Sequence, residues 1–243
     1  MVSQPAKRGN EATNAGLEAM EQKRRDEAVV HFNTALDHYE AIQDDAERCT
    51  ELGTFALLLD QAGFPDFALI ASQEAVELDE QLGNLRHMAE DMVTCGNAQL
   101  HMGNTDEALS LYRQALDVCV ANGDLDNAAS ASTNIAVIIG NQGEMDEAIR
   151  MMYQSLDYLN RQPHPATEIV TRIALTQALE MEGRPPEDIF AVASPVAQHA
   201  IELRQDQWDG LRGPLEQTVQ RYVQLHPETN PTAVKRDYLS GIF

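Results

Sequence analysis

The sequence offers few groupings of side chains that could form a catalytic or metal site. His31 lies four residues after Glu27 and seven before His38, so these residues could share one face of a helix, and such faces can bind a metal. His87 and Asp91 form another pair four residues apart. Zinc sites usually need closer convergence, with cysteines or a second helix supplying ligands. We therefore interpret these histidines as surface residues and predict no metal site.

Other catalytic patterns are equally weak in this sequence. Its glycines stand singly at regular intervals and form no phosphate-binding loop, and no spacing suggests a Ser, His and acid arrangement. The three cysteines, Cys49, Cys95 and Cys119, form no paired motif and are typical of small buried core residues in a reducing cytoplasm. We predict a protein that is not an enzyme and uses no cofactor.

Six glycines, spaced by twenty residues or a multiple of twenty, indicate where the helices that carry these side chains end. A glycine just after the last turn of a helix can adopt the left-handed conformation that ends the helix at least cost. Pro163 stands at the one gap in the series. This spacing predicts helices of about 17 or 18 residues. The glycines in the series are Gly63, Gly83, Gly103, Gly123, Gly143 and Gly183.

Small residues reveal a longer period of forty residues, which corresponds to a pair of helices. Small residues seven apart with a mostly bulky residue between them indicate a helix face that approaches its neighbours closely. The four copies are Ala28, Phe32 and Ala35; Ala68, Ser72 and Ala75; Ala108, Tyr112 and Ala115; and Ala148, Met152 and Ser155. The other helix of each pair places Gly16, Ala56, Gly96 and Ala136 forty apart.

On these residues the chain resembles the tetratricopeptide repeat, in the long forty-residue variety of kinesin light chain and LGN-type adaptors. The resemblance implies an all-α, right-handed α-solenoid of antiparallel helix pairs with C-terminal capping helices. The expected organisation is a flexible N-terminus over residues 1–8, a solenoid over 9–205 and a capping helix and tail over 206–243. The repeats lie near 9–48, 49–88, 89–128 and 129–168, with a degenerate fifth at 169–205, where Pro195 replaces an alanine.

In the family that the chain resembles, the first helix of each pair lines a concave groove that holds a peptide. Asparagine suits such a groove because its amide both donates and accepts hydrogen bonds. The groove residues implied for this chain are Asn14, Leu17, Leu57, Gln61, Thr94, Asn97, His101, Thr133, Asn134, Val137 and Asn141.

Charge narrows the class of partner. The formal net charge is −22, and residues 26–149 contain 24 Asp and Glu against three Arg. Such a surface repels nucleic acid and anionic membranes, so neither is expected as a partner. Two interpretations of the acidity stay open: the steering of a basic partner segment, or adaptation to solubility or a high-salt cytoplasm.

The sequence predicts a cytoplasmic scaffold or adaptor that binds a peptide or helix of another protein. No apolar run is long enough to cross a bilayer, and the N-terminus lacks the apolar stretch of a secretory signal. Two alternatives are a receptor for a short signalling peptide and a self-assembling structural subunit. In the second, the apolar tail at residues 238–243 docks into another copy, which makes a homo-oligomer possible.

Overall fold

The computed structural model describes residues 2–193 and Gln224, and those residues are organised as a series of helices. The helices run antiparallel in pairs, with the second helix returning along the first. They are α1 (Gln4–Glu21), α2 (Arg25–Glu40), α3 (Asp45–Gln61), α4 (Pro65–Leu82), α5 (Leu85–His101), α6 (Thr105–Asn122), α7 (Leu125–Asn141), α8 (Met145–Arg161), α9 (Pro165–Met181) and α10 (Pro186–Ala193).

The described chain forms two compact units, the first ending at Gly123 and the second beginning at Asp124. In the first unit, α1 packs on α2, α3 on α4 and α5 on α6, and α4 also packs on α5. In the second unit, α7 packs on α8, and α9 contacts both α8 and α10. The forty-residue period therefore corresponds to one helix pair, as the sequence predicts.

The predicted helix ends are confirmed. All six glycines of the twenty-residue series have positive φ angles, between 65° and 97°. At Gly63 (φ 78°) an added Cβ would meet no atom within 4 Å, so the requirement for glycine comes from the backbone alone. Pro163 stands just after α8, whose end is marked by the extended residue Gln162.

The predicted N-terminal boundary differs from the structure. The sequence placed residues 1–8 in a flexible N-terminus, whereas α1 begins at Gln4. The Ser3 hydroxyl accepts a hydrogen bond from the Ala6 backbone N–H at 3.2 Å, and Pro5 stands in the first turn. A capping serine followed by proline is a strong helix start, and the full burial of Ala6 anchors it.

The core of the first unit contains an aromatic cluster from its first two helix pairs. Phe32 on α2 lies 5.0 Å from Phe64 and 6.2 Å from Phe55, between ring centroids, in edge-to-face contacts. Tyr39 packs on Phe55 at 5.4 Å. In the second unit, aliphatic side chains fill the interior, among them Ile135 and Leu159. Although aromatic residues are few in the sequence, several of them meet where the first two helix pairs pack together.

Three predictions fall on undescribed residues. The end of the fifth repeat around Pro195, the capping helix within residues 206–243 and the tail at 238–243 lie, apart from Gln224, outside the described part of the chain. In the fifth pair, α9 is the first helix and α10 is the described part of the second, which begins three residues after Gly183.

Lys23 provides a test of the turn geometry. It falls in the twenty-residue glycine series and adopts a φ of 58°, which a side chain makes costly. We expect Lys23→Gly to raise the free energy of unfolding by about 0.5–1 kcal/mol, because relief of this strain exceeds the added freedom of the unfolded chain. Urea unfolding followed by circular dichroism measures the change.

The matched control is Gly63→Ala, forty residues later in the same turn position. It is expected to lower the free energy of unfolding by about 1 kcal/mol. If Lys23→Gly also lowers the free energy of unfolding, the conformation at residue 23 is not strained.

Candidate functional site

The predicted groove residues all lie on the first helices of their pairs. Asn14 and Leu17 are on α1, and Leu57 and Gln61 are on α3. Helix α5 carries Thr94, Asn97 and His101, and α7 carries Thr133, Asn134, Val137 and Asn141. The structure divides these residues among open clefts and packed contacts, with at least one cleft in each unit.

The cleft of the first unit lies between α3 and α5 and has a volume of about 240 Å³. Two predicted groove residues line it, Leu57 and Thr94. Leu57 is 47% exposed, so its side chain is available to a partner. The other lining residues are Cys49, Thr50, Gly53, Thr54, His87, Glu90 and Asp91.

The second unit has a corresponding cleft of about 210 Å³ between α7 and α9. It includes the predicted residues Thr133 and Asn134, together with Ser130, Ala166, Thr167, Val170 and Thr171. A smaller, more apolar cleft of about 80 Å³ includes Val137 and Asn141 and is bordered by Met181, whose side chain is largely exposed. Open clefts of this size between helices can accept individual side chains of a bound segment.

Several predicted groove residues also hold the scaffold together. The Tyr112 hydroxyl donates to Asn97 Oδ1 at 2.6 Å, so one half of that amide is engaged. His101 Nδ1 lies 2.8 Å from the buried carboxylate of Asp60. Neither Asn97 nor His101 lines the three clefts described above, and neither do Asn14, Leu17 or Gln61.

The two threonines of the predicted set are buried on the cleft floors. Thr94 Oγ1 donates to the Glu90 carbonyl at 3.2 Å. Thr133 Oγ1 donates to the Ala129 carbonyl at 2.9 Å and lies 2.8 Å from Thr171 Oγ1. These hydroxyls are used within and between helices. Among the predicted residues that line clefts, Leu57, Val137 and Asn141 are exposed and Asn134 is half-buried, whereas the exposed residues Asn14, Gln61 and His101 lie outside the clefts.

A cluster of three titratable side chains lies at the floor of the α3–α5 cleft. Cys49, Asp79 and Asp91 are all buried, and one possible ligand atom from each lies within 4.8 Å of the others. Burial raises the pKa of Asp91 to about 8, with the charge of Asp79 adding to the effect. Burial and the neighbouring Asp79 also raise the pKa of the Cys49 thiol. The arrangement therefore disfavours the charged forms of the Asp91 carboxyl group and the Cys49 thiol.

The sequence interpretation missed this cluster. It considered Asp91 only as a partner of His87 and described Cys49 only as a core residue; burial of all three free cysteines is confirmed. A signal was available in the forty-residue register, which aligns Asp79 with Tyr39, Cys119 and Leu159. A carboxylate at a position otherwise occupied by core residues marks a site that needs explanation.

Sequence comparison gives a partial match to one family. Residues 66–182, a little under half of the chain, match the model of the soluble NSF attachment protein, SNAP. No curated protein matches the sequence significantly.

Solved structures match nearly the whole chain. A Rap protein complexed with competence and sporulation factor is 13% identical over 96% of this chain and 71% of its own, with a TM-score of 0.63. A STAND protein with a tetratricopeptide repeat sensor, from Pyrococcus horikoshii, is 12% identical over 92% of this chain and 38% of its own, with a TM-score of 0.54. The chain has the tetratricopeptide-repeat fold. The predicted all-α solenoid class is thereby confirmed.

A third similar structure is the Rap conjugation gene regulator of plasmid pLS20 in complex with the Phr* peptide. It is 14% identical over 94% of this chain and 71% of its own, with a TM-score of 0.52. Across the described residues, no helix combines the length and apolar character needed to span a membrane.

Proposed function

We propose that this tetratricopeptide-repeat protein is a non-catalytic scaffold that binds a peptide or helical segment of another protein. The observation that carries the proposal is the pair of open clefts between successive first helices, one within each unit. Both clefts contain residues that the repeat pattern assigns to a binding groove. The peptide complexes of the similar Rap structures support the same use of this fold.

Exposed apolar side chains beside the clefts provide the binding contacts. Leu57 is 47% exposed at the α3–α5 cleft, and Val170 is 45% exposed at the α7–α9 cleft. An apolar side chain at the rim of a small cleft gains affinity when a partner residue covers it. Asn134, half-buried beside Val170, supplies an amide that can bond to the backbone of a bound segment.

Charge supports a basic partner segment, which we propose the protein binds in the cytoplasm. Glu90 lines the α3–α5 cleft, within the strongly acidic stretch of the chain. A Lys or Arg side chain of the partner would be attracted to this cleft, and its binding would weaken as ionic strength rises.

The test of this function is selection from a phage-displayed random peptide library, followed by affinity measurement with the full-length chain. We expect peptides enriched in Lys or Arg and in apolar residues. The double variant Leu57→Ala/Val170→Ala should bind them at least about tenfold more weakly, because truncating a contact residue of this kind costs 1 kcal/mol or more. Affinity should also fall when the salt concentration rises.

A matched control comes from the second helices. Val30 on α2 and Ile70 on α4 are 63% and 55% exposed and lie outside the clefts. The double variant Val30→Ala/Ile70→Ala should retain wild-type affinity. If it loses binding while the cleft variant does not, the binding surface lies on the second helices and the proposal is wrong.

The second candidate is a receptor for a short signalling peptide, which the similarity to peptide-bound Rap structures favours. The same selected sequences distinguish the two functions. A receptor binds the short free peptide as tightly as the same sequence within a longer partner segment, whereas a scaffold gains affinity from the additional contacts of the longer segment.

A further inference from the structure

Asp79 occupies a position where the repeat otherwise places core side chains. Forty residues before it is Tyr39, and forty and eighty residues after it are Cys119 and Leu159, all buried. Asp79 is itself fully buried, with no exposed surface. A carboxylate in such a position is costly unless a donor or a cation compensates it.

The neighbouring helices bring two further ligand groups to Asp79. Cys49 on α3 and Asp91 on α5 converge on it, and the three possible ligand atoms lie within 4.8 Å of one another. Gly53 provides the space, since a Cβ at this position would lie 2.8 Å from Asp91 Oδ1. Helices α3, α4 and α5 thus each supply one residue.

Asp79 is only partly compensated by its neighbours. Asn84 Nδ2 donates to Asp79 Oδ1 at 3.2 Å, but among the described residues Asp79 Oδ2 accepts no hydrogen bond. Within the same part of the chain, neither Asp79 nor Asp91 forms an ion pair with Lys, Arg or His. An unpartnered buried oxygen facing a thiol and a second carboxyl group indicates a missing positive charge.

We propose that Cys49, Asp79 and Asp91 bind one divalent cation of the zinc type at the floor of the α3–α5 cleft. A thiolate with carboxylate oxygens suits Zn²⁺, whereas Mg²⁺ and Ca²⁺ take oxygen ligands alone. Zinc–ligand bonds of about 2.0–2.3 Å place tetrahedral ligands roughly 3.3–3.8 Å apart, so small side-chain adjustments complete the site.

The fourth coordination position faces the cleft. Cys49 and Asp91 line that cleft, as does His87 one helical turn before Asp91. Three protein ligands with one open position leave the cation accessible to water or to a donor atom of a bound molecule. The proposed cation binding does not depend on peptide binding and is tested without a peptide.

The experiment titrates the full-length, metal-stripped protein with Zn²⁺ by calorimetry and with Co²⁺ by absorption spectroscopy. We expect one ion per chain, a near-ultraviolet thiolate-to-cobalt band and a higher thermal unfolding midpoint. Cys49→Ser and Asp79→Asn should each weaken binding by more than about 100-fold, the upper end of the effect of removing an outer-shell partner.

Cys119→Ser is the matched control, since Cys119 is a buried cysteine of the same unit outside the cluster. It should keep both the cobalt band and the affinity. Circular dichroism establishes that each variant is folded before titration. Absence of stoichiometric binding to the folded wild type, or binding that survives both Cys49→Ser and Asp79→Asn, would overturn the proposal.

Discussion

Gly96→Ala is expected to lower the free energy of unfolding by about 2 kcal/mol, although alanine is the better helix former. A Cβ at residue 96 would lie 2.5 Å from Cε1 of Tyr112, whose side chain is fully buried. Displacing that ring costs more than the roughly 1 kcal/mol gained in helix propensity. It also disturbs the 2.6 Å hydrogen bond from Tyr112 to Asn97. Denaturant unfolding measures the loss.

The other repeats supply a rescue for this variant. Gly16 faces Phe32 in the same way, with 2.3 Å to the nearest ring atom, whereas Ala136 is aligned with the flexible side chain of Met152. We therefore expect Gly96→Ala to be better tolerated in a Tyr112→Met background. The coupling between the two substitutions should reach 1 kcal/mol or more in a double-mutant cycle. Additive effects would show that the glycine is not matched to the aromatic ring.

Asp79→Asn is expected to raise the free energy of unfolding of the metal-free protein by about 1–3 kcal/mol, measured at pH 7.5 with a chelator. The wild type must either hold two adjacent buried carboxylates or keep a proton on Asp91, whose pKa burial raises to about 8. Both situations are costly on folding. The amide of asparagine removes one charge, keeps the shape and can donate a hydrogen bond to Asp91.

Zinc should reverse this order of stability. An ion present at 1,000 times its dissociation constant stabilises the folded wild type by about 4.1 kcal/mol, more than the asparagine variant gains without metal, and that variant lacks the ligand. Asp60→Asn is the control, because Asp60 is a buried carboxylate of the same unit that is paired with His101 at 2.8 Å. It should destabilise the protein with or without zinc. A stability loss in metal-free Asp79→Asn would mean that the carboxylate is compensated within the protein.

The residues that define the repeat and the residues of the candidate site differ in how far the sequence could predict them. The glycine at each turn and the small residue at the position of Gly16 follow from local rules, since a left-handed turn requires glycine and a close approach between helices requires a small residue. The repetition of both features in register made the helix pairs predictable. At the N-terminus, the cap formed by Ser3 was overlooked, and α1 therefore begins earlier than expected.

The candidate site was predicted only in outline. Placing groove residues on first helices follows from the repeat, but whether Asn97 faces solvent or bonds to Tyr112 depends on the neighbouring helix. Thr94 and Thr133 likewise lie on cleft floors, where their hydroxyls are already hydrogen-bonded. Register assigns a residue to a helix face, while the adjacent side chains decide whether that residue remains available.

Sequence by itself determined the helix lengths, the turns and the forty-residue pairing, because these depend on contacts close along the chain. Only the tertiary structure brought Cys49, Asp79 and Asp91 within 4.8 Å, because they come from three different helices and span more than forty residues. Their proximity depends on how α3, α4 and α5 pack. Local periodicity in the sequence predicts the repeating backbone, but the Cys49, Asp79 and Asp91 cluster depends on side-chain contacts that differ from one repeat to the next.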